Sequence, residues 1–291
     1  MSTVTIAATQ MACSDSTDEN VTTAERLVRN AASQGAQIVL LQELFQNLYF
    51  CQIEDPQFFA LAKPAEGNAV LDHFQALAKE LSVVLPISFF EKANNAYFNS
   101  ITIMDADGTR LGTYRKSHIP HGFGYQEKFY FNPGDTGFKV WDTAAGRIGC
   151  GICWDQWFPE CARAMVLQGA DILLYPTAIG TDITGELPDS SKKWQRAMQG
   201  HAASSTVVVA ASNRIGREIV GDGGTHLDFY GSSFIANGYG DLVAEASRDT
   251  EEVIIASFNL ATMREERAGW GFFRDRRPDL YGDLMTLGAS S

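Results

Sequence analysis

The chain has 291 residues, 45% hydrophobic and 11% aromatic, enough for one large α/β core or two smaller ones. Its 35 acidic and 23 basic residues leave a net charge of −12, which argues against nucleic acid or an anionic membrane as partner and is compatible with a small cationic substrate. The start Met1-Ser-Thr-Val-Thr-Ile has no basic segment, and nowhere do about eighteen apolar residues run together, so a cytoplasmic protein without membrane contact is expected.

In chain order, residues 4–9 read as a strand, 22–34 as a helix, and 37–41 as a buried strand running into Gln42-Glu43-Leu44-Phe45. Residues 68–81 carry Leu71, Phe74, Leu77, Ala78 and Leu81 on one helical face, and the apolar run 83–90 follows. Strands at 100–104 and 110–114 flank Asp105-Ala-Asp-Gly108, a turn whose glycine supplies positive φ. A glycine- and aromatic-rich loop spans 118–137. Strands near 138–141 and 147–152 precede a helix at about 158–168, a buried strand at 171–175, a helix at 191–204 and an apolar strand at 207–211.

The segment Gly231-Ser-Ser-Phe-Ile-Ala-Asn-Gly-Tyr-Gly-Asp-Leu repeats the spacing and turn chemistry of Asn99-Ser-Ile-Thr-Ile-Met-Asp-Ala-Asp-Gly-Thr-Arg. Two similar halves, each alternating strands with helices and each ending in a hairpin, point to two mixed sheets packed face to face with helices outside. No Pro/Gly/Ser-rich linker separates them, so one domain over 1–291 is expected, with the tail from about 268 either frayed or in subunit contacts.

Cysteine usage bears on chemistry. Five cysteines at irregular spacing suit reduced thiols rather than a disulfide framework. Cys150 and Cys153 spell C-x-x-C, but Cys13, Cys51 and Cys161 supply no second close pair for zinc, and a redox motif would place its first cysteine at a helix start, not inside a strand. No metal site and no cofactor are expected, and no phosphate-binding glycine loop is present. His118 and His121 lie on the glycine-rich loop beside Lys116, where pocket lining suits them better than metal ligation; His201 reads as a helix-packing residue.

Cys153 ends the run Arg147-Ile-Gly-Cys-Gly-Ile-Cys, and a helix opens near Phe158-Pro159-Glu160. Gly149 and Gly151 would permit a sharp turn, and free N–H groups of a starting helix favour negative charge on sulfur and on an attacked carbonyl oxygen. A buried structural thiol is the alternative. Glu43, Lys116 and Cys153 each follow a strand, and residues just beyond strand ends are where α/β sheets gather their ligands.

With Ile6-Ala-Ala-Thr-Gln10, Tyr114-Arg-Lys-Ser-His-Ile-Pro120, Tyr175-Pro-Thr-Ala-Ile-Gly180 and Arg277-Pro-Asp-Leu-Tyr281, these residues make the chain resemble the nitrilase superfamily of carbon–nitrogen hydrolases over nearly its whole length. The resemblance implies an αββα sandwich, a Glu43–Lys116–Cys153 triad, a supporting role for Glu127, and homo-oligomers. Gln42 departs from the proline that often precedes the family glutamate. In that scheme Glu43 is the base, while Lys116 and the backbone N–H of Trp154 hold the developing oxyanion. Glu127 orients the ureido group or tunes the lysine; its alternative is a loop acid paired with Lys128 or Arg115.

The words around 114–135, 175–180 and 269–281 are closest to family branches that take a carbamoylated amine, implying a small cationic carbamoyl-amine substrate. A free amine at the end of a short aliphatic chain calls for a carboxylate at the remote wall, with apolar or aromatic sides for the methylenes. Asp182 is the first candidate and Glu186 the second; Tyr49, Thr177 and His121 are candidates for the lining. Other amidases or N-carbamoyl amino acid hydrolases of the superfamily stay open as alternatives, and so does a non-catalytic binding or assembly protein on the same fold.

Overall fold

A computed structural model describes residues 3–181, 189–221 and 225–288. In chain order the elements are β1 (Thr3–Gln10), α1 (Thr17–Ser33), β2 (Ile38–Leu40), α2 (Ala69–Leu81), β3 (Leu85–Ala93), β4 (Ala96–Met104), β5 (Arg110–Arg115), α3 (Glu127–Tyr130), β6 (Val140–Thr143) and β7 (Gly146–Cys150). Then follow α4 (Pro159–Leu167), β8 (Ile172–Pro176), α5 (Ser191–Ser205), β9 (Val208–Ser212), β10 (Ile215–Val220), β11 (Thr225–Tyr230), β12 (Phe234–Ala236), β13 (Leu242–Glu245), β14 (Glu252–Asn259) and α6 (Leu260–Trp270).

Strands β14-β1-β2 and β3-β4-β5 are joined by a parallel bridge between Ile38 and Val84, giving the order β14-β1-β2-β3-β4-β5. The second sheet runs β6-β7-β8-β9-β12-β13. The two orders correspond strand for strand. Each has parallel central neighbours, β1-β2 in one and β7-β8-β9 in the other, with antiparallel strands outside them. The repeat extends to irregularities: the β4–β5 register shifts between Ile103 and Met104, and the β12–β13 register shifts at the aligned Ile235 and Ala236. Gly108 and Gly240, also aligned, both adopt φ +87°.

Between the sheets, Ile6, Ile38 and Ile101 meet Ile148, Ile172, Val208 and Ile235 in one core. Leu27, Phe74 and Leu77 seal α1 and α2 onto the outer face of the first sheet, and Met165, Trp194 and Met198 do the same for α4 and α5 on the second. Each such fully buried side chain contributes roughly 1.5–3 kcal/mol. The result is the expected αββα sandwich.

Helix α1 begins at Thr17, ahead of the expected start, because Ser16 caps it by accepting the Glu19 N–H; its first turn is polar and invisible to apolar periodicity. The β10–β11 hairpin, β14 and α6 lie outside the predicted set. Strand β14 fills the edge of the first sheet that β6 fills in the second, and it is half-exposed, so its side chains do not show the continuous apolar run of a central strand. No helix among the described residues is long and apolar enough to cross a membrane.

Candidate active site

Glu43 follows β2 and Lys116 follows β5. The Lys116 N–H donates to Asn99 O at 2.8 Å, and Gly134 N donates to Lys116 O at 2.8 Å. A Cβ on Gly134 would lie 2.0 Å from Arg115 O, so only glycine lets this loop close on the lysine. Inside the fold, Lys116 Nζ donates to Glu43 Oε1 at 2.8 Å and to Glu127 Oε2 at 2.6 Å, all three side chains being fully buried. Asn99 Nδ2 donates to Glu43 Oε1 at 2.6 Å, and the Tyr49 hydroxyl donates to Glu127 Oε1 at 2.6 Å. Glu43 Oε2 is buried and has no hydrogen-bond partner among the described residues, so one carboxylate oxygen is left to accept a proton.

Burial opposes charge on Lys116, but the Glu127 and Glu43 carboxylates outweigh it and hold the ammonium well above the ordinary lysine value. Burial pushes Glu127 up to about 7, with Lys116 pulling the other way and Glu43 adding to the rise. Burial thus makes Glu127 a weaker acid than an ordinary glutamate while Lys116 stays charged. The alternative of a loop acid paired with Lys128 or Arg115 does not hold, since both Glu127 oxygens are taken by Lys116 and Tyr49 and Arg115 pairs with Glu91 and Asp135.

Cys153 lies in a short 3-10 turn, Cys153–Trp157, that precedes α4. Its own φ is +42°, a left-handed conformation that costs a side-chain-bearing residue about 1–3 kcal/mol. This corrects the expectation that the neighbouring glycines make the turn: neither Gly149 nor Gly151 has positive φ. They are needed for closeness, since a Cβ on Gly151 would come within 2.9 Å of the Tyr175 ring and one on Gly149 within 2.8 Å of Met165 Sδ. The local N–H groups, expected to favour charge on sulfur, are outweighed by the surroundings. Burial, then the Glu43 charge, push the Cys153 thiol well above its ordinary value, with Lys116 acting against them. The resting side chain is a thiol, and activation requires a base.

Asp155 fastens the cysteine turn to the lysine segment. Its Oδ2 accepts from Ile152 N at 2.9 Å and from the Tyr114 hydroxyl at 2.8 Å, and its Oδ1 accepts from His118 N at 3.0 Å and meets His118 Nδ1 at 2.7 Å. The His118 ring stacks on Phe158 with centroids 3.7 Å apart, which is where that histidine goes. His201 is buried with Nε2 2.9 Å from Gln156 O, in keeping with a packing role. Gln42, at the position where the family often has proline, donates to Met11 O.

A cavity of about 490 Å³ opens onto Cys153. His121, Phe123, Tyr125, Trp154, Trp157 and Lys193 are among its walls, and Lys193 is the one described lining residue whose side chain is cationic. His121 and Trp154 thus face the cavity. Tyr49 and Thr177 are not among those walls: the Tyr49 hydroxyl is committed to Glu127, and the Thr177 hydroxyl donates to Gln156 Oε1 and Tyr175 O. Asp182 and Glu186 lie outside the described residues. Asn99 was missed in the sequence, although a signal existed: the aligned position of the second hairpin is Gly231, so the repeat is broken where an amide is needed.

Residues 5–268 match the carbon-nitrogen hydrolase family. The N-carbamoylputrescine amidase of Oryza sativa subsp. japonica is 59% identical over 98% of this chain and 96% of its own length. The citrullinase of Francisella tularensis is 48% identical over 98% and 99%. Among solved structures, a carbon-nitrogen hydrolase from Helicobacter pylori G27 superposes with a TM-score of 0.93 at 38% identity, covering 98% of this chain and 99% of its own. On the family match and these full-length likenesses, the chain belongs to the carbon–nitrogen hydrolases and is a hydrolase of carbon–nitrogen bonds other than peptide bonds.

Proposed function

We propose that the chain hydrolyses N-carbamoylputrescine to putrescine, carbon dioxide and ammonia through a thioester on Cys153. The observation that carries this reading is identity of 57% to 59% along nearly the whole chain with four plant enzymes named for that substrate. The site supports the chemistry. A ureido carbonyl is a poor electrophile, so the thiol must be deprotonated as it attacks. Glu43 Oε2 takes that proton, the S–C bond forms, and Lys116 with the Trp154 N–H balances the oxyanion. The proton then passes from Glu43 to the departing nitrogen as the C–N bond breaks. Glu43 next draws a proton from water as the water attacks the thioester, and it returns that proton to sulfur as the C–S bond breaks, which restores the thiol and the carboxylate. The carbamate released loses carbon dioxide.

A second substrate class has a specific observation behind it. Lys193 on the cavity wall could pair with the carboxylate of a ureido amino acid, the kind of substrate for which the Francisella relative is named. Purified protein given N-carbamoylputrescine, citrulline or N-carbamoyl-β-alanine, with ammonia and free amine followed, separates the two. Putrescine release that disappears in Cys153→Ala supports the first reading; turnover of the carboxylate substrates alone would replace it with the second.

The chain is further proposed to work as a homo-oligomer of single-domain subunits. The tail supports this: Trp270, Leu280, Leu284 and Met285 form an exposed apolar series beyond the sandwich.

A further inference from the structure

Arg214 is a fully buried guanidinium that the mechanism does not use. It follows β9 and spends its donors on the segment after β2. Its Nη2 donates to Glu43 O at 3.0 Å and to Leu44 O at 2.6 Å, and its Nη1 donates to Asn47 O at 2.9 Å and to Glu218 Oε1 at 2.8 Å. Glu218, buried on β10, accepts the Tyr49 N–H on its other oxygen at 2.6 Å. The segment needs such a grip because it turns sharply, with Leu44 at φ +49° and its carbonyls facing inward. Immediately before Arg214 in the chain, Asn213 grips the segment beside the nucleophile: its side chain accepts from Ile179 N at 3.0 Å and donates to Ile179 O at 2.9 Å, next to the Ala178 carbonyl that lies 3.7 Å from Cys153 Sγ.

We propose that the Arg214–Glu218 pair is the positioning device of the catalytic constellation, holding the backbone of 43–49 so that Glu43 and Tyr49 reach Lys116 and Glu127 from fixed points. Both carboxylates around Lys116 are governed by this one segment, Glu43 directly and Glu127 through the Tyr49 hydroxyl. A lysine at 214 would keep the charge, but its single ammonium cannot reproduce a fork that reaches three carbonyls and a carboxylate. The inference rests on the reading of Glu43 as the base.

Arg214→Lys and Glu218→Gln test it, with Glu43→Gln alongside and the folded fraction of each variant fixed by thermal unfolding and active-site titration. Per folded site, Arg214→Lys is expected to lower kcat by about 10²-fold, the cost of misplacing a catalytic group by about 1 Å, with KM little changed. Glu218→Gln is expected to lower kcat in the same sense by a smaller factor. Both are expected to shift the pH profile of Cys153 alkylation by iodoacetamide, which a purely structural role would leave in place. Folded Arg214→Lys with wild-type kcat and alkylation profile overturns the proposal; if Arg214→Lys does not fold, the same result in Glu218→Gln overturns it. Wild-type turnover in Glu43→Gln would instead remove the base assignment.

Discussion

At the residue scale the site is a buried charge cluster whose members depend on one another. Lys116 is the single cation between two buried carboxylates, so Lys116→Met strands two like charges. Breaking such a pair costs about 3–5 kcal/mol, and under the proposed role of Lys116 the loss of an oxyanion donor costs about 10²–10³ in kcat; denaturant unfolding and steady-state rates on the same variant check both. Glu127 makes a prediction about pH. Its carboxyl is raised from 4.5 to about 7, so between those values the folded chain holds a proton that the unfolded chain has lost. Its contribution to stability is then complete below about 4.5 and is lost as pH rises through 7. Glu127→Gln cannot titrate. The wild-type Tm is therefore expected to fall relative to the variant's between pH 5 and pH 8, and a constant difference would count against the shift.

At the element scale, what matters is how strand ends are tied together across the sandwich. Asp155 joins the turn after β7 to β5 and to the lysine segment through Tyr114, His118 and Ile152. Asp155→Ala leaves the Ile152 and His118 N–H groups short of a partner, while the Tyr114 hydroxyl keeps Ser117 Oγ, at about 1–3 kcal/mol for each buried group left unpaired. The expected outcome is a lowered unfolding midpoint together with a loss of kcat, because Lys116 and Cys153 lose their common anchor. Asp155→Asn, which keeps an acceptor, is expected to recover part of both.

At the scale of the whole molecule, Leu284 and Met285 stand 62% and 86% exposed on the tail. If that series is covered by a second copy, light scattering will give a mass that is a multiple of the single chain's, and Leu284→Asp with Met285→Asp will reduce it. A monomer in both wild type and variant would refute the homo-oligomer proposal. The repeated sandwich also sets where chemistry can sit: equivalent strand ends from both sheets converge, yet the amide at Asn99 has only Gly231 as its counterpart, so one hairpin serves the site and the other packs.

The sequence by itself determined the sandwich, the duplication and the residue types at the strand ends, because apolar periodicity, turn glycines and short motifs are local properties of the chain. Glu43, Lys116 and Cys153 could be singled out for that reason, and the Asp105–Gly108 turn was legible in the same way. Tertiary structure decided the rest. Strand β14 gains its place only by pairing with β1 from the far end of the chain, and Tyr49 turns toward Glu127 rather than the cavity because a hydroxyl in that core must find an acceptor. The balance at Cys153 was tertiary for a related reason: an N–H-rich turn favours negative charge on sulfur locally, but burial beside Glu43 disfavours it more strongly. Arg214, 171 residues from Glu43 in sequence, could be linked to it only once the fold brought the guanidinium under the carbonyls it holds.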